Sequence, residues 1–159
     1  MELPIHIGEP APDFSLSNAD GQLRTLADYA GKWLVLYFYP KDNTSGCTTE
    51  ALDFTAHLKD FEALNAVVVG VSPDSCASHQ KFRVKHGLAV ELLCDPEKET
   101  LQRYGVWQKK RMYGREYMGV VRTTVLIAPD GTIAYIWPKV KVKGHAQAVL
   151  AKLKELQQQ

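Results

Sequence analysis

The stretch WLVLYFYPKDNTSGCTTE, residues 33–50, decides the fold. Its first seven residues are almost all apolar and rich in Val, Tyr and Phe, which is typical of a buried strand. Pro40 ends that strand, and residues 41–46 have the composition of a turn. Apolar residues then recur at helical spacing from Cys47 to Leu64, which predicts a long helix. Cys47 is therefore expected at or near the N-terminus of that helix.

This predicted position favours a reactive sulfur. The first turn of a helix carries free backbone N–H groups and the positive end of the helix dipole. Both stabilise a thiolate, which is the nucleophilic form of cysteine. Thr44, three residues earlier, can turn its hydroxyl toward the sulfur or toward a bound oxygen. A simpler arrangement also fits these residues, with Cys47 as a buried structural thiol and Thr44 as a helix cap.

The composition is that of an ordinary globular domain. The 159 residues are 45% hydrophobic and 23% charged, so we expect one domain over residues 1–159 with its own core. The net charge is +1, which gives no indication of nucleic acid or a membrane as partner. The N-terminal residues lack the basic start and apolar core of a signal peptide, and no apolar run has the length of a membrane span. We therefore expect a cytoplasmic protein.

Two clusters of basic residues are predicted to lie at the surface of the fold. Residues 109–111 (Lys-Lys-Arg) are predicted as a turn. Lys139, Lys141 and Lys143 alternate with valines and are predicted as a solvated strand face or edge. An anion-binding role for either cluster is the alternative.

The chain contains three cysteines, namely Cys47, Cys76 and Cys94. An odd number in a chain of this size argues against a secreted disulfide scaffold. The cysteines are too few and too scattered for a structural zinc site, and no C-x-x-C occurs. The five histidines are dispersed, so we expect neither a metal nor a cofactor.

Strand and helix patterns alternate along the rest of the chain. The predicted elements are a hairpin (14–17 and 22–26), a strand (66–71), a helix (74–86), a strand (91–94), a helix (96–104) with Asp95 as N-cap, a hairpin (122–128 and 132–137) and a helix (144–156). This order predicts an α/β fold with a central mixed β-sheet and helices on both faces. In such sheets chemistry gathers at the carboxyl ends of the strands, which is where Cys47 lies.

The pattern Pro40-x-x-x-Thr44-x-x-Cys47 resembles the peroxidatic-cysteine motif of the peroxiredoxins. The fuller string over residues 37–50 resembles the bacterioferritin-comigratory-protein (PrxQ) subgroup. Three other segments are similar to that subgroup as well, at residues 8–14, 70–82 and 122–127. The resemblance covers essentially the whole chain and implies a thioredoxin-like fold with an N-terminal β-hairpin extension.

The resemblance implies a thiol-dependent peroxidase that reduces hydrogen peroxide and organic hydroperoxides. Cys47 would attack the peroxide and become a sulfenic acid, with release of water or alcohol. Thr44 would align the peroxide, and the backbone N–H groups of Gly46 and Cys47 would donate to its oxygens. Arg122 would lie beside the sulfur, stabilise the thiolate and stabilise charge in the transition state. Arg111 and Arg115 are its rivals for that role.

Three more residues of the motif have expected roles. Pro40 would shield the sulfur from one side, in addition to ending the strand. Tyr39 would line the substrate pocket. Glu50 would either pair with Arg122 and orient it, or simply complement the helix dipole.

The resemblance leaves the re-reduction of the sulfur open. The two positions where this subgroup often carries a resolving cysteine are Leu52 and Arg83 here. We therefore favour a cycle with one cysteine and an external reductant: thioredoxin, glutaredoxin or a small thiol. Cys76 or Cys94 as resolving cysteine is the alternative.

Other functions remain open beside the peroxidase. The chain could act as a redox sensor that passes its oxidation to a partner protein, or as a disulfide reductase, which the lack of a C-x-x-C disfavours. We expect a monomer, because no spare apolar helix face is evident.

Overall fold

The structure is a computed structural model and describes residues 3–158. Its strands are β1 (Ser15–Asn18), β2 (Leu23–Thr25), β3 (Trp33–Phe38), β4 (Ala66–Ser72), β5 (Glu91–Cys94), β6 (Trp107–Met112), β7 (Arg115–Val120), β8 (Thr123–Ile127) and β9 (Ile133–Trp137). Its helices are α1 (Ser45–Ala56), α2 (Leu58–Ala63), α3 (Cys76–His86), α4 (Glu99–Arg103) and α5 (His145–Gln157), with a short 3-10 turn over Leu26–Tyr29. Within these residues, no helix is both long and apolar enough to cross a bilayer.

Seven strands form one mixed sheet in the order β2-β1-β5-β4-β3-β8-β9. The central strands β3, β4 and β5 are parallel, and their carboxyl ends meet at one edge of the sheet. β8 runs antiparallel to β3, so the start of β8 lies at the same edge as the end of β3. The structure confirms the predicted α/β class with a mixed sheet, and the predicted N-terminal hairpin is the β1–β2 pair.

The alternation of β3 divides the core into two layers. Leu34, Leu36 and Phe38 face one layer, which the 3-10 turn, α4 and the N-terminal segment cover. Val35 and Tyr37 face the other layer, which α1, α2, α3 and α5 cover. Because both faces are buried, β3 appears in the sequence as a continuous apolar run rather than an alternating one.

Two predicted helices differ from those in the structure. The helix predicted from Cys47 to Leu64 begins at Ser45 and is interrupted at His57, which separates α1 from α2. The helix predicted over 96–104 begins only at Glu99, because Lys98 takes a left-handed conformation with φ 61°. Asp95 is therefore not its N-cap, although the Asp95 carboxylate accepts from two backbone N–H groups of its first turn.

The β6–β7 hairpin was not predicted. Residues 109–111 lie inside β6 and not in a turn, so that prediction is wrong. Both strands are largely exposed and polar, so they lack the apolar alternation that indicates a strand. The turn is at Tyr113 and Gly114, both with positive φ, as in tight two-residue hairpins. Residues 139–143 form a loop after β9 and not the predicted strand face.

The two edge strands of the sheet are short. β2 has three residues, and its central residue Arg24 pairs with Glu91 at 2.9 Å. β9 has five residues, its pairing with β8 shifts register between Leu126 and Ile127, and Pro138 follows it directly.

Candidate active site

Cys47 is the third residue of α1 and lies just beyond the carboxyl end of β3. Its side chain is buried, with 1% of its surface exposed. Residues so near a helix start have no acceptor within the helix for their backbone N–H groups. Thr44 is the N-cap but its side chain makes no capping hydrogen bond. The backbone donors of Gly46 and Cys47 are therefore available to an oxygen that approaches the sulfur.

The Thr44 hydroxyl does not donate to the sulfur, which was one of its two expected partners; its contact with a bound oxygen stays a prediction. Its hydroxyl donates to the carbonyl oxygen of Lys41 at 3.0 Å, across the turn that precedes α1. The side chain is exposed at the mouth of the site, and the hydroxyl oxygen keeps lone pairs that can accept a hydrogen bond.

Arg122 is the residue immediately before β8, and the pairing of β8 with β3 brings it to Cys47. Its Nη2 donates to Cys47 Sγ at 3.2 Å, and its side chain is 16% exposed. Burial lowers the pKa of the guanidinium, but the negative charges of Glu50 and Cys47 outweigh burial and raise it overall. Arg122 therefore stays a cation beside the sulfur.

Glu50 lies one helical turn after Cys47 and is 1% exposed. Its Oε1 accepts from Arg122 Nη1 at 2.7 Å. Of the two predicted alternatives, the structure therefore favours the pairing with Arg122 over a simple interaction with the helix dipole. Burial raises the pKa of Glu50 to about 7, because it outweighs the attraction of Arg122. The second oxygen, Oε2, has no hydrogen-bond partner among the described residues.

Gly46 makes room for this arrangement. A Cβ atom at this position would lie 3.2 Å from Arg122 Nη2, closer than most such contacts. The lack of a side chain therefore lets the guanidinium lie against the helix start. Pro40 is half-buried where the strand gives way to the turn, as expected for a residue that ends β3.

The turn between β3 and α1 is fixed by a buried polar network that the sequence analysis missed. Asp42 accepts from the hydroxyl of Tyr39 at 2.7 Å, from Ser78 Oγ at 2.8 Å and from His79 Nδ1 at 2.7 Å. The backbone N–H of Asp42 donates to Asp74 Oδ2 at 2.8 Å. The turn is thereby bound to the first turns of α3 and the segment before it.

This network changes the role expected for Tyr39. Its hydroxyl is directed to Asp42 and its side chain is 1% exposed, so it supports the turn and does not present a polar group to substrate. This supporting role of Tyr39 could be recognised only from its contacts with Asp42 and His79, which lie 3 and 40 residues away in the sequence.

His79 is fully buried, and both of its ring nitrogens face oxygen acceptors. Nδ1 faces Asp42 at 2.7 Å and Nε2 faces the carbonyl oxygen of Leu93 at 2.8 Å. The ring is thereby held between the turn after β3 and the end of β5, next to the carboxylate of Asp42. Burial raises the pKa of Asp42, but the hydrogen bond and charge of His79 outweigh it and hold that pKa below its ordinary value.

The same network contains a group of three side chains whose ligand atoms lie within 4.8 Å of one another, namely Asp42, Asp74 and His79. Their polar atoms already bind one another and Ser72. The arrangement is therefore satisfied without an ion. The expectation of no metal and no cofactor stays a prediction.

The other two cysteines are joined to each other. A disulfide links Cys76 and Cys94, with their Cα atoms 5.3 Å apart, and Cys47 is the free cysteine. From the sequence, each of them was expected only singly, as a resolving cysteine, and this bond was not predicted. Cys76 begins α3 and Cys94 ends β5, beside Ser72 at the end of β4. A separation of 18 residues gives no sign of that contact.

The comparisons with known proteins assign the class. A profile of the AhpC/TSA family matches residues 7–136, so the chain belongs to this family of peroxiredoxins. It is 47% identical to peroxiredoxin Bcp of Bacillus subtilis over 97% of this chain and 98% of that protein. It is 48% identical to peroxiredoxin Bcp of Xanthomonas campestris over 89% of both chains.

Solved structures agree with the sequence relatives. A structure of the Xanthomonas campestris bacterioferritin comigratory protein, studied for alkyl peroxide reduction, has a TM-score of 0.88, 44% identity and coverage of 97% of this chain and 98% of that one. A cysteine-to-serine mutant of Xylella fastidiosa PrxQ has a TM-score of 0.90, 42% identity and coverage of 95% and 96%. The predicted Bcp/PrxQ resemblance and thioredoxin-like fold are confirmed, and the chain is a thiol-dependent peroxidase that acts on hydroperoxides with a thiol reductant.

Proposed function

We propose that this chain reduces hydrogen peroxide and alkyl hydroperoxides through a sulfenic acid at Cys47. One observation carries the assignment of residues: Nη2 of Arg122 lies 3.2 Å from Cys47 Sγ, and Cys47 is the third residue of α1, where backbone N–H groups have no acceptor within the helix. A cation and helix donors around one buried sulfur stabilise a thiolate and the charge of a departing oxygen.

In the proposed reaction, the thiolate of Cys47 attacks the nearer peroxide oxygen. An S–O bond forms, the O–O bond breaks, and the released alkoxide takes a proton to leave as alcohol or water. The N–H groups of Gly46 and Cys47 hold the oxygens in line. Thr44 accepts the peroxide O–H, since its own hydrogen is engaged by the Lys41 carbonyl.

Arg122 and Glu50 act as one unit in this proposal. Glu50 is held in the helix that carries Cys47, and its bond to Nη1 fixes the plane of the guanidinium. The other nitrogen, Nη2, then points to the sulfur and to the developing charge. A lysine could not replace Arg122 here, because its single ammonium group cannot bind two partners in one fixed plane.

The particular peroxides and the particular thiol reductant are also part of this proposal. The activity of the Xanthomonas campestris relative supports alkyl hydroperoxides beside hydrogen peroxide. The reducing thiol belongs to thioredoxin, glutaredoxin or a small thiol, and the protein works as a cytoplasmic monomer.

The test is peroxide consumption with a dithiol reductant in excess. We expect many turnovers in the wild type and none with Cys47→Ser, because serine is not ionised at neutral pH. Thr49→Ala is the matched control, since Thr49 is exposed in the same helical turn and bonds only to its own helix. Retained turnover in Cys47→Ser would contradict the assignment. A single oxidation without turnover would instead indicate a sensor.

A further inference from the structure

The Cys76–Cys94 disulfide lies at the same edge of the sheet as the attacking cysteine. Cys94 ends β5 and Ser72, its partner in the sheet, ends β4, which is parallel to β3. Cys47 lies beyond the end of β3. Three cysteines therefore gather around the carboxyl ends of three neighbouring parallel strands, with the thiol of one free and the other two oxidised.

The turn that carries Cys47 is tied directly to the segment that carries Cys76. The backbone N–H of Asp42 donates to Asp74 Oδ2 at 2.8 Å, and Asp42 Oδ2 accepts from Ser78 at 2.8 Å. Asp74 and Ser78 lie two residues before and two residues after Cys76. The turn is thus anchored on both sides of this cysteine.

The length of the tether permits the two sulfurs to meet. Cys47 is the fifth residue after Asp42, and five residues in extended form span at most about 17 Å. Cys76 is the second residue after Asp74, which is at most about 7 Å of chain. Since Asp42 and Asp74 are in contact, the tether is long enough for Cys47 to reach Cys76 once the first turn of α1 unwinds.

The first turn of α1 is suited to such opening. Its N-cap makes no side-chain hydrogen bond, it has no acidic residue in the first turn, and Thr44 and Ser45 are exposed. Helix ends without caps and with few buried contacts open at low cost. Of the α1 residues in the core, Cys47 must leave its buried place in this opening, whereas Ala51 and Phe54 can stay.

The two cysteines differ in access. Cys76 is half-buried at the first position of α3, where helix N–H groups favour a thiolate, whereas Cys94 is 3% exposed. Cys76 is therefore the sulfur that can attack first. Their Cα atoms are 5.3 Å apart, so Cys94 is already placed to attack Cys76 next.

We propose that Cys76 and Cys94 form a dithiol relay that removes the oxidation from Cys47 and stores it as the observed disulfide. The proposal rests on the peroxidase chemistry of Cys47 given above. It replaces the sequence-based preference for a cycle with one cysteine, because the observed state, Cys47 free and the other two joined, is the end state of such a relay.

The relay passes the oxidation on in two exchange steps. The sulfenic acid of Cys47 and the thiol of Cys76 form a Cys47–Cys76 disulfide and release water. The thiolate of Cys94 attacks the sulfur of Cys76, which forms the Cys76–Cys94 disulfide and expels Cys47 as a thiolate. An external dithiol then reduces the Cys76–Cys94 disulfide and becomes a disulfide itself. Two electrons have passed from that dithiol to the peroxide.

The experiment starts from fully reduced protein and adds one equivalent of hydrogen peroxide, followed by alkylation, intact mass and peptide mapping. With the relay, the wild type loses about 2 Da and Cys47 remains open to alkylation. Cys94→Ser stops at a Cys47–Cys76 disulfide. Cys76→Ser stops with a gain of about 16 Da on Cys47. Cys47→Ser keeps its Cys76–Cys94 dithiol over the same time.

Three outcomes would overturn the relay. If the wild type gains about 16 Da on Cys47 while Cys76 and Cys94 remain alkylated, the peroxidase stands and the relay is wrong. If Cys47→Ser forms the disulfide as fast as the wild type, the pair is an independent switch. If no cysteine reacts, the peroxidase assignment fails as well. The comparison of wild type with Cys47→Ser leaves Cys76 and Cys94 intact. It therefore shows whether the disulfide forms through Cys47, even if the Cys76→Ser and Cys94→Ser variants misfold.

Discussion

Arg122 shows how a residue far along the chain completes the site. It is 75 residues from Cys47, yet the antiparallel pairing of β8 with β3 brings Nη2 to 3.2 Å from the sulfur. The sequence favours Arg122 over Arg111 and Arg115 mainly through the family resemblance, and also because Arg122 opens an apolar strand. The structure places those two on the exposed β6–β7 hairpin, with Arg111 paired to Glu116.

We predict that Arg122→Met slows the reaction of Cys47 with hydrogen peroxide by about 10²- to 10³-fold, the usual cost of removing one preorganised charge-stabilising donor. Stopped-flow measurement of the second-order rate constant checks this. Arg115→Met, which removes an exposed guanidinium from the hairpin, should leave the rate unchanged. Equal slowing in both variants would mean that general charge, and not the contact with the sulfur, matters.

Glu50 makes stability depend on pH in a definite direction. Its pKa is about 7 in the folded chain against an ordinary value of 4.5, because burial disfavours the charged form. The folded state therefore holds the proton more tightly than the unfolded state. The contribution of Glu50 to stability therefore falls as pH rises from about 4.5 to about 7, and it is constant above that range.

We predict that this group alone lowers the free energy of unfolding by about 3 kcal/mol between about pH 4.5 and 7, at 1.36 kcal/mol for each unit of pKa. Urea unfolding across this range measures it. In Glu50→Gln the side chain cannot ionise, so the variant should gain stability relative to the wild type as pH rises. A difference between the two proteins that does not change with pH would refute this assignment.

At the scale of elements, the turn between β3 and α1 is bound to α3 in addition to its own internal hydrogen bonds. Asp42 binds Ser78 and His79 on α3, and Asn43 Oδ1 lies 3.2 Å from His86 Nε2 at the end of that helix. Because the turn carries the start of α1, the position of Cys47 depends on this contact between elements.

We predict that Asp42→Asn destabilises the fold by about 3 to 5 kcal/mol, since it leaves the buried ring of His79 without its charged partner. Chemical unfolding at neutral pH measures the loss. The matched control is Asp60→Asn on α2, where the carboxylate is 62% exposed and lies 3.5 Å from His57. That change should cost less than about 1 kcal/mol, as is usual for exposed pairs.

Elements with strong apolar patterns were predicted well, and those without such patterns were not. β3 and β5 were predicted to within one residue because their residues are buried on both faces. The β6–β7 hairpin is exposed and polar, so no periodicity indicates it. The late start of α4 depends on the left-handed Lys98, a conformation that the sequence does not reveal.

In the candidate site, contacts between residues close in sequence were predictable, and contacts between distant segments were not. Cys47, Gly46 and Glu50 lie within one short motif, so their proximity was predictable from local structure. The contacts of Asp42 with α3 and the pairing of Cys76 with Cys94 depend on how β4 and β5 are placed beside β3. These contacts depend on the order of strands in the sheet. A single sequence does not reveal that order unless it contains a motif for it.

At the scale of the whole molecule, the Cys76–Cys94 disulfide closes a loop of 18 residues that contains all of α3. Such a loop constrains the unfolded chain. We predict that reduction of this bond lowers the free energy of unfolding by about 3 kcal/mol. Urea unfolding with and without a dithiol measures it, in a Cys47→Ser background that prevents exchange.

A double variant, Cys76→Ser with Cys94→Ser, is the control for that measurement. Its stability should not respond to the dithiol, and it should match the reduced protein. If the dithiol destabilises the double variant equally, the effect does not arise from this bond.

The short edges of the sheet bear on how these molecules behave when crowded. An open edge of a sheet offers unpaired N–H and C=O groups on which a foreign strand can grow, and long flat edges start aggregates in this way. Here one edge has three residues with a paired arginine at its centre, and the other has an irregular register and ends at Pro138. Neither edge of this seven-stranded sheet therefore offers a long, regular template for strand-by-strand growth into insoluble assemblies.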